Sequence, residues 1–113
     1  MAPMQRNENG QVVISCDFCG TDWDQVRPMI EGHRGSVICL DCVKQAIADE
    51  SAPPSQYSCT MCIRDQLPTK LKQWEPSPRP PAANPTAIIC HDCLQQASQA
   101  FHRDNDVPWS KPQ

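Results

Sequence analysis

Four Cys-x-x-Cys pairs, Cys16/Cys19, Cys39/Cys42, Cys59/Cys62 and Cys90/Cys93, account for every cysteine in the chain. Two thiolates three residues apart can grip one metal ion from a tight turn, whereas disulfide frameworks use more varied spacings to join distant segments. The pairs are also repeated in context. "ICLDCVKQA", Ile38 to Ala46, and "ICHDCLQQA", Ile89 to Ala97, agree at Ile, Cys, Asp, Cys, Gln and Ala. The chain therefore reads as one four-cysteine module written twice.

Composition supports two small metal-held modules over one large core. The chain has 113 residues, 12 prolines and only 39% hydrophobic residues. Domains of about 40–50 residues need a metal, disulfides or a partner to stay folded. The opening "MAPMQRNENG" has no apolar signal region, and no apolar run is long enough for a membrane span. The expectation is a cytoplasmic protein with two structural Zn²⁺ per chain. The formal charge is −3, and eight thiolates outweigh two zinc dications, so the loaded protein is more acidic still. That balance is unsuited to tracking a phosphate backbone.

The expected organisation is a loose tail over 1–12, a first module over 13–50, a linker over 51–56 and a second module over 57–103. The remainder, 104–113, reads as another tail. A proline-rich stretch at 75–85 is expected as an extended, solvated insertion, and it accounts for the longer inner spacing of the second module. "QVVIS", "SVIC" and "TAIIC" are short strand candidates. Val43, Ala46 and Ile47 in one copy, and Leu94, Ala97 and Phe101 in the other, recur at helical spacing. Asp41 and Asp92 fall where those helices begin. The fold class is thus small zinc-stabilised α+β: two tandem treble-clef-like modules, each a knuckle, a short β-hairpin and one helix carrying the second cysteine pair.

The ligand sets follow from the repeat. Sequential pairing puts Cys16, Cys19, Cys39 and Cys42 on one zinc and Cys59, Cys62, Cys90 and Cys93 on the other. A RING-like cross-brace would pair alternate knuckles, but a helix and a proline linker separate Cys42 from Cys59, and a duplicated module must once have folded alone. A closed four-thiolate site leaves no open position for water or substrate, so it is structural. Thiol redox chemistry lacks a thioredoxin-like context. His91, between two cysteines, is expected to face solvent, as are His33 and His102.

"CDFCGTDWDQVRPMIEGHRGSVICLDCV" resembles the ClpX-type C4 zinc-binding domain. Cys16, Phe18, Cys19 and Gly20 match its knuckle; Val26, Met29, Ile30 and Gly32 match its middle segment; Ile38, Cys39, Cys42 and Val43 match its last pair. The second module keeps Cys59, Cys62, Ile89, Cys90, Cys93 and Leu94. It has Ile63 for the knuckle glycine, and "LPTKLKQW", Leu67 to Trp74, stands as a diverged replacement for the middle segment. The resemblance implies a domain that dimerises and binds adaptor proteins. The ATPase of that family has no counterpart, since no G-x-x-x-x-G-K-[ST] loop occurs in these 113 residues.

The function implied is non-catalytic protein–protein interaction, adaptor-like or by self-association. The first module carries more apolar side chains than it can bury, including Trp23, and the surplus marks an interface. Phe18, Val26, Met29 and Ile30 are its candidates, with Leu67, Leu71 and Trp74 as counterparts in the second module. The partner is then another protein, a second copy, or the other half of the same chain in a pseudo-twofold pair. The alternative is a nucleic-acid-binding zinc protein with a regulatory role, resting on Arg64, Lys70 and Lys72 beside Trp74.

Overall fold

The computed structural model describes residues 5–8, 11–23 and 28–103. Val26 and the segment 104–113 lie outside the described residues. The elements run in the order β1 (Gln5–Glu8), β2 (Gln11–Ile14), β3 (Met29–Glu31), β4 (Val37–Cys39), α1 (Leu40–Asp49), β5 (Gln73–Trp74), β6 (Ile89–Cys90) and α2 (His91–Arg103). A 3-10 turn, His33–Gly35, joins β3 to β4. The β2 candidate forms, but part of the segment expected as a loose tail is also a strand: β1 pairs antiparallel with β2, Gln5 opposite Ile14 and Glu8 opposite Gln11.

Each module builds its helix in the same way. A two-stranded antiparallel ladder delivers the third cysteine to the helix start. In the first module Met29 faces Cys39 and Ile30 faces Ile38; in the second Gln73 faces Cys90 and Trp74 faces Ile89. Gln73 and Trp74 therefore stand where the first module has Met29 and Ile30, which places the diverged segment in register. Leu40 N–H donates to Pro28 O at 3.1 Å, and His91 N–H repeats the bond to Lys72 O at 2.9 Å. Cys39 occupies the N-cap of α1, with Asp41 in the first turn; Asp92 holds the same place in α2. Acidic side chains there complement the helix dipole. Of the positions expected from the spacing, Val43 and Ala46 in α1 and Leu94, Ala97 and Phe101 in α2 are buried; Ile47 is only partly buried, and Leu40 joins the buried face of α1 instead.

The two modules share one core. Phe18, Ile38 and Val43 belong to the same buried cluster as Tyr57, Trp74, Ile89 and Leu94, and α1 packs on α2. The contacts across the junction come in related pairs. Phe18, in the first knuckle, stacks on Trp74 with ring centroids 5.7 Å apart and planes 28° apart. His33 N–H donates to Met61 O at 2.8 Å, and Asn84 N–H donates to Asp17 O at 2.8 Å. The hairpin of each module thus reaches the knuckle of the other. Two glycines permit this approach: a Cβ on Gly20 would lie 2.5 Å from Ala82, and one on Gly32 would lie 2.7 Å from Met61 O.

Three expectations change on this account. The stretch 75–85 is not a solvated insertion: Pro76, Ala83 and Asn84 are buried. Arg79 ties the loop together, donating to Asn84 O and Ala87 O at 3.0 Å each and to Glu75 at 2.9 Å. The segment 51–56 does not run free either. Ser51 and Gln73 exchange backbone hydrogen bonds at 2.8 and 2.9 Å, and Pro53 is buried. His91, expected in solvent, is half-buried and reaches Glu50 at 3.0 Å, another link between the modules.

Removing an aromatic ring from a packed core costs about 3–5 kcal/mol. Phe18→Ala is therefore expected to lower the stability of the zinc-loaded protein by that amount in urea unfolding, in one transition seen alike by probes in both modules. A change below about 1 kcal/mol, or two separate transitions, would show that the knuckle ring does not couple them.

Candidate metal centres

The eight cysteines gather into two groups, Cys16/Cys19/Cys39/Cys42 and Cys59/Cys62/Cys90/Cys93, the sulfurs of each lying within 4.8 Å of one another. Within a group, Cys16 Sγ is 3.7 Å from Cys42 Sγ and Cys19 Sγ is 3.8 Å from Cys39 Sγ. In the second group Cys59 Sγ is 3.7 Å from Cys93 Sγ. Zn–S bonds of about 2.3 Å in a tetrahedron require S···S edges of about 3.8 Å. The spacing fits zinc, and it excludes disulfides, whose sulfurs sit at about 2.05 Å; all eight thiols are free. The grouping is sequential, not cross-braced.

Protonation points the same way. The hydrogen bond from Cys16 holds the Cys19 thiol far below its ordinary value, while contact with Cys16 pushes Cys42 far above. In the second group Cys59 holds Cys90 down and pushes Cys93 up, and Cys59 itself is pushed up to about 11 by Cys90. Four adjoining sulfurs cannot all lose their protons unless a cation replaces them. A dication at the centre supplies that charge.

One backbone donor to the first sulfur repeats in the two copies, and the first copy has a second. Phe18 N–H and Cys39 N–H each donate to Cys16 Sγ at 3.4 Å, and Cys90 N–H donates to Cys59 Sγ at 3.4 Å. Asp17 N–H bonds Val37 O and Thr60 N–H bonds Ile88 O, both at 2.8 Å. The reverse bond uses the side chain of the same residue: Val37 N–H donates to Asp17 Oδ1 at 2.8 Å, and Ile88 N–H to Thr60 Oγ1 at 3.0 Å. One residue thus clamps each knuckle to its hairpin. Burial pushes the Asp17 carboxyl up, against the hydrogen bonds from Asn84 and Val37. These clamps were not picked out from the sequence, where the signal was only a polar residue after the first cysteine of each copy.

The knuckles differ at two places. Gly20 has φ +78°, the left-handed conformation that glycine adopts without strain. Its counterpart Ile63 is held at φ +56° despite its branched side chain. Thr21 lies 3.2 Å from Cys19 Sγ. Its counterpart Arg64 donates to Cys62 Sγ at 3.1 Å and to Cys90 Sγ at 3.3 Å, and pairs with Asp92 at 3.3 Å. A guanidinium across two thiolates offsets the negative charge of the second centre; the first centre has a neutral hydroxyl there. The Arg64 charge is therefore engaged by sulfur, which leaves Lys70 and Lys72 as the exposed remainder of the basic cluster.

Of the surface residues singled out in the sequence, Phe18, Leu67 and Trp74 are buried. Met29, Ile30 and Leu71 pack partly buried against the same core, and Val26 is outside the described residues. Among the described residues, the apolar surplus of the first module is wholly or partly covered from within the chain, apart from Trp23, which is 43% exposed.

The fold and the paired four-cysteine clusters define a small zinc-stabilised α+β protein built as a tandem of treble-clef-like modules. Residues 14–48 match the family of the ClpX C4-type zinc finger. That family binds Zn²⁺, and the second four-cysteine cluster repeats the arrangement outside the matched span. No curated protein and no solved structure matches the chain significantly. No helix among the described residues is long and apolar enough to cross a membrane.

Two outcomes are expected. Native mass spectrometry finds two zinc ions on a chain with eight reduced cysteines, and Cys39→Ser leaves one zinc, held by the Cys59 group; loss of both would mean the sulfurs are shared. Partners of ligand atoms typically alter metal affinity about 10–100-fold. Arg64→Gln should therefore speed zinc transfer to a chromophoric chelator from the second centre and leave the first unchanged. Equal rates in variant and parent would deny Arg64 that role.

Proposed function

We propose that the chain is a non-catalytic protein-interaction module, adaptor-like or acting through self-association. The observation that carries the reading is the closed form of both centres. Each offers zinc four thiolates and no open position, so the metal supports a surface and does not process a substrate. The similarity of residues 14–48 to the ClpX C4-type zinc finger supports the same conclusion, because the resemblance implies a domain that pairs and binds adaptor proteins. In this chain the partner surface of the first module is met by the second, an intramolecular stand-in for a dimer. The surface left for other proteins is then the outer face of the joined pair. A cytoplasmic setting suits eight reduced thiols.

Immobilised zinc-loaded protein should capture a discrete protein from extract at about 0.15 M salt, where exposed charges are largely screened beyond about 8 Å. The capture should survive nuclease and fail after chelation. Capture abolished by nuclease would replace the reading with nucleic-acid binding through Lys70 and Lys72.

A further inference from the structure

The two metal centres are not equally covered. In the first, Cys16, Cys39 and Cys42 are buried and only Cys19 is partly exposed. Thr21 Oγ1 lies 3.2 Å from that sulfur, and Ala82 packs against the adjoining Gly20. In the second centre Cys62 and Cys93 are both partly exposed. Both line a groove of about 830 Å³ between α2 and the first hairpin, which also carries Glu31, His33, Arg64 and Asp92. Cys59 borders a separate cavity but is only 2% exposed. The sulfurs of the second centre also differ in the donors they receive. Cys59 accepts from Cys90 N–H at 3.4 Å, Cys62 from Arg64 Nε at 3.1 Å and Cys90 from Arg64 Nη2 at 3.3 Å. Among the described residues no such N–H donor reaches Cys93 Sγ, whose near contact is Cys59 Sγ at 3.7 Å. Its counterpart Cys42 is sealed in the core, so Cys93 alone combines access with a sulfur that no N–H restrains.

We propose that the second centre is a site of oxidative modification, at which Cys93 reacts with a hydroperoxide entering by this groove. The inference goes beyond the protein-interaction reading and does not depend on it. A hydrogen bond that stabilises a thiolate also lowers its nucleophilicity, so the donors restrain Cys59, Cys62 and Cys90 and leave Cys93 the strongest nucleophile of its centre. Access decides between Cys93 and Cys42, since a cysteine buried in a core is inert. The carboxylates of Glu31 and Asp92 in the groove disfavour an anionic reagent, whereas hydrogen peroxide is small and uncharged. The Cys93 thiolate attacks the O–O bond, its sulfur is oxidised to the sulfenic acid, and one hydroxide leaves. A second thiolate of the centre, with Cys59 Sγ at 3.7 Å, then forms the S–S bond and displaces another hydroxide. Two thiolates have lost two electrons, and the peroxide has become two hydroxide ions. Sulfurs joined at about 2.05 Å no longer span the edge of a zinc tetrahedron, so the second centre gives up its metal. The reaction is stoichiometric and needs no catalytic turnover.

The test adds hydrogen peroxide to the full zinc-loaded chain and follows it by native mass spectrometry and by mapping of disulfide-linked peptides. The expected result is loss of one of the two zinc ions with one disulfide that includes Cys93, while Cys16, Cys19, Cys39 and Cys42 stay reduced. Two variants separate the nucleophile from the route. Cys93→His keeps a fourth zinc ligand without a sulfur, and it should hold both ions at the peroxide dose that empties the second centre of the parent. Gln96 is exposed, lines the groove and lies one helical turn beyond Cys93. Gln96→Trp therefore covers the sulfur without touching the ligand set, and should slow the loss several-fold; it carries the test alone if Cys93→His fails to load. Simultaneous loss of both ions, earlier loss from the first centre, or a parent disulfide without Cys93 would overturn the proposal. So would a parent that keeps both ions under peroxide, a loaded Cys93→His that reacts as readily as the parent, or an unchanged rate in Gln96→Trp.

Discussion

Four sulfurs held about 3.7 Å apart fix three otherwise unrelated pieces of chain: a knuckle, the end of a two-stranded ladder and the first turn of a helix. None of these pieces is stable by itself. A two-stranded ladder of two or three residues is below the size that survives in water, and helices of 10 and 13 residues are marginal in isolation. Zinc coordination supplies about 10–16 kcal/mol in small finger peptides at neutral pH, which is enough to order such pieces. Everything else in the molecule, from the Asp17 and Thr60 clamps to the apolar faces of α1 and α2, presupposes that the sulfurs have been brought together.

Zinc alone leaves each module with an apolar face too large for its own core, and duplication within one chain solves that problem. The face of the first module is closed by Trp74 and the proline-rich segment of the second; the knuckle of the second is met by the hairpin of the first. The two halves have diverged where they meet. An aromatic pair on one side faces an aliphatic pair, Met61 and Ile30, on the other. A fused pair is free to differentiate in this way, whereas in a symmetric homodimer both grooves must carry the same residues. The Thr21/Arg64 difference extends the divergence to the charge around the two metals.

Much of this was legible in the sequence because it rests on local, periodic signals. Cysteine spacing gave both ligand sets, and the 3.6-residue recurrence of Val43/Ala46 and Leu94/Ala97 gave both helices with their buried faces. The parts that were not legible depend on contacts between distant segments. The run 75–85 reads as a solvated loop because its residues are proline, alanine and serine; its burial depends on Gly20 admitting Ala82 and on Asp17 receiving Asn84, neither of which leaves a periodic trace. Strand β1 lies in a polar stretch with no alternation to reveal it. Gln73 and Trp74 take the places of Met29 and Ile30 with different chemistry, so only backbone register identifies them. Similarly, Phe18 and Met29 read as a free interface because their cover comes from the same chain.

The central claim is that two modules, each closed by its own metal, form one structure across the Phe18–Trp74 and knuckle–hairpin contacts. The most direct test compares ¹⁵N spectra of the intact zinc-loaded chain with those of its halves, residues 1–52 and 53–113, each loaded with zinc. The account predicts that separation moves the resonances of Phe18, Gly20, Met61, Trp74 and Asn84, and that mixing the halves restores their positions in the intact chain. Spectra of the separate halves that superpose on that of the whole would contradict it, and would leave two independent zinc modules joined by a linker.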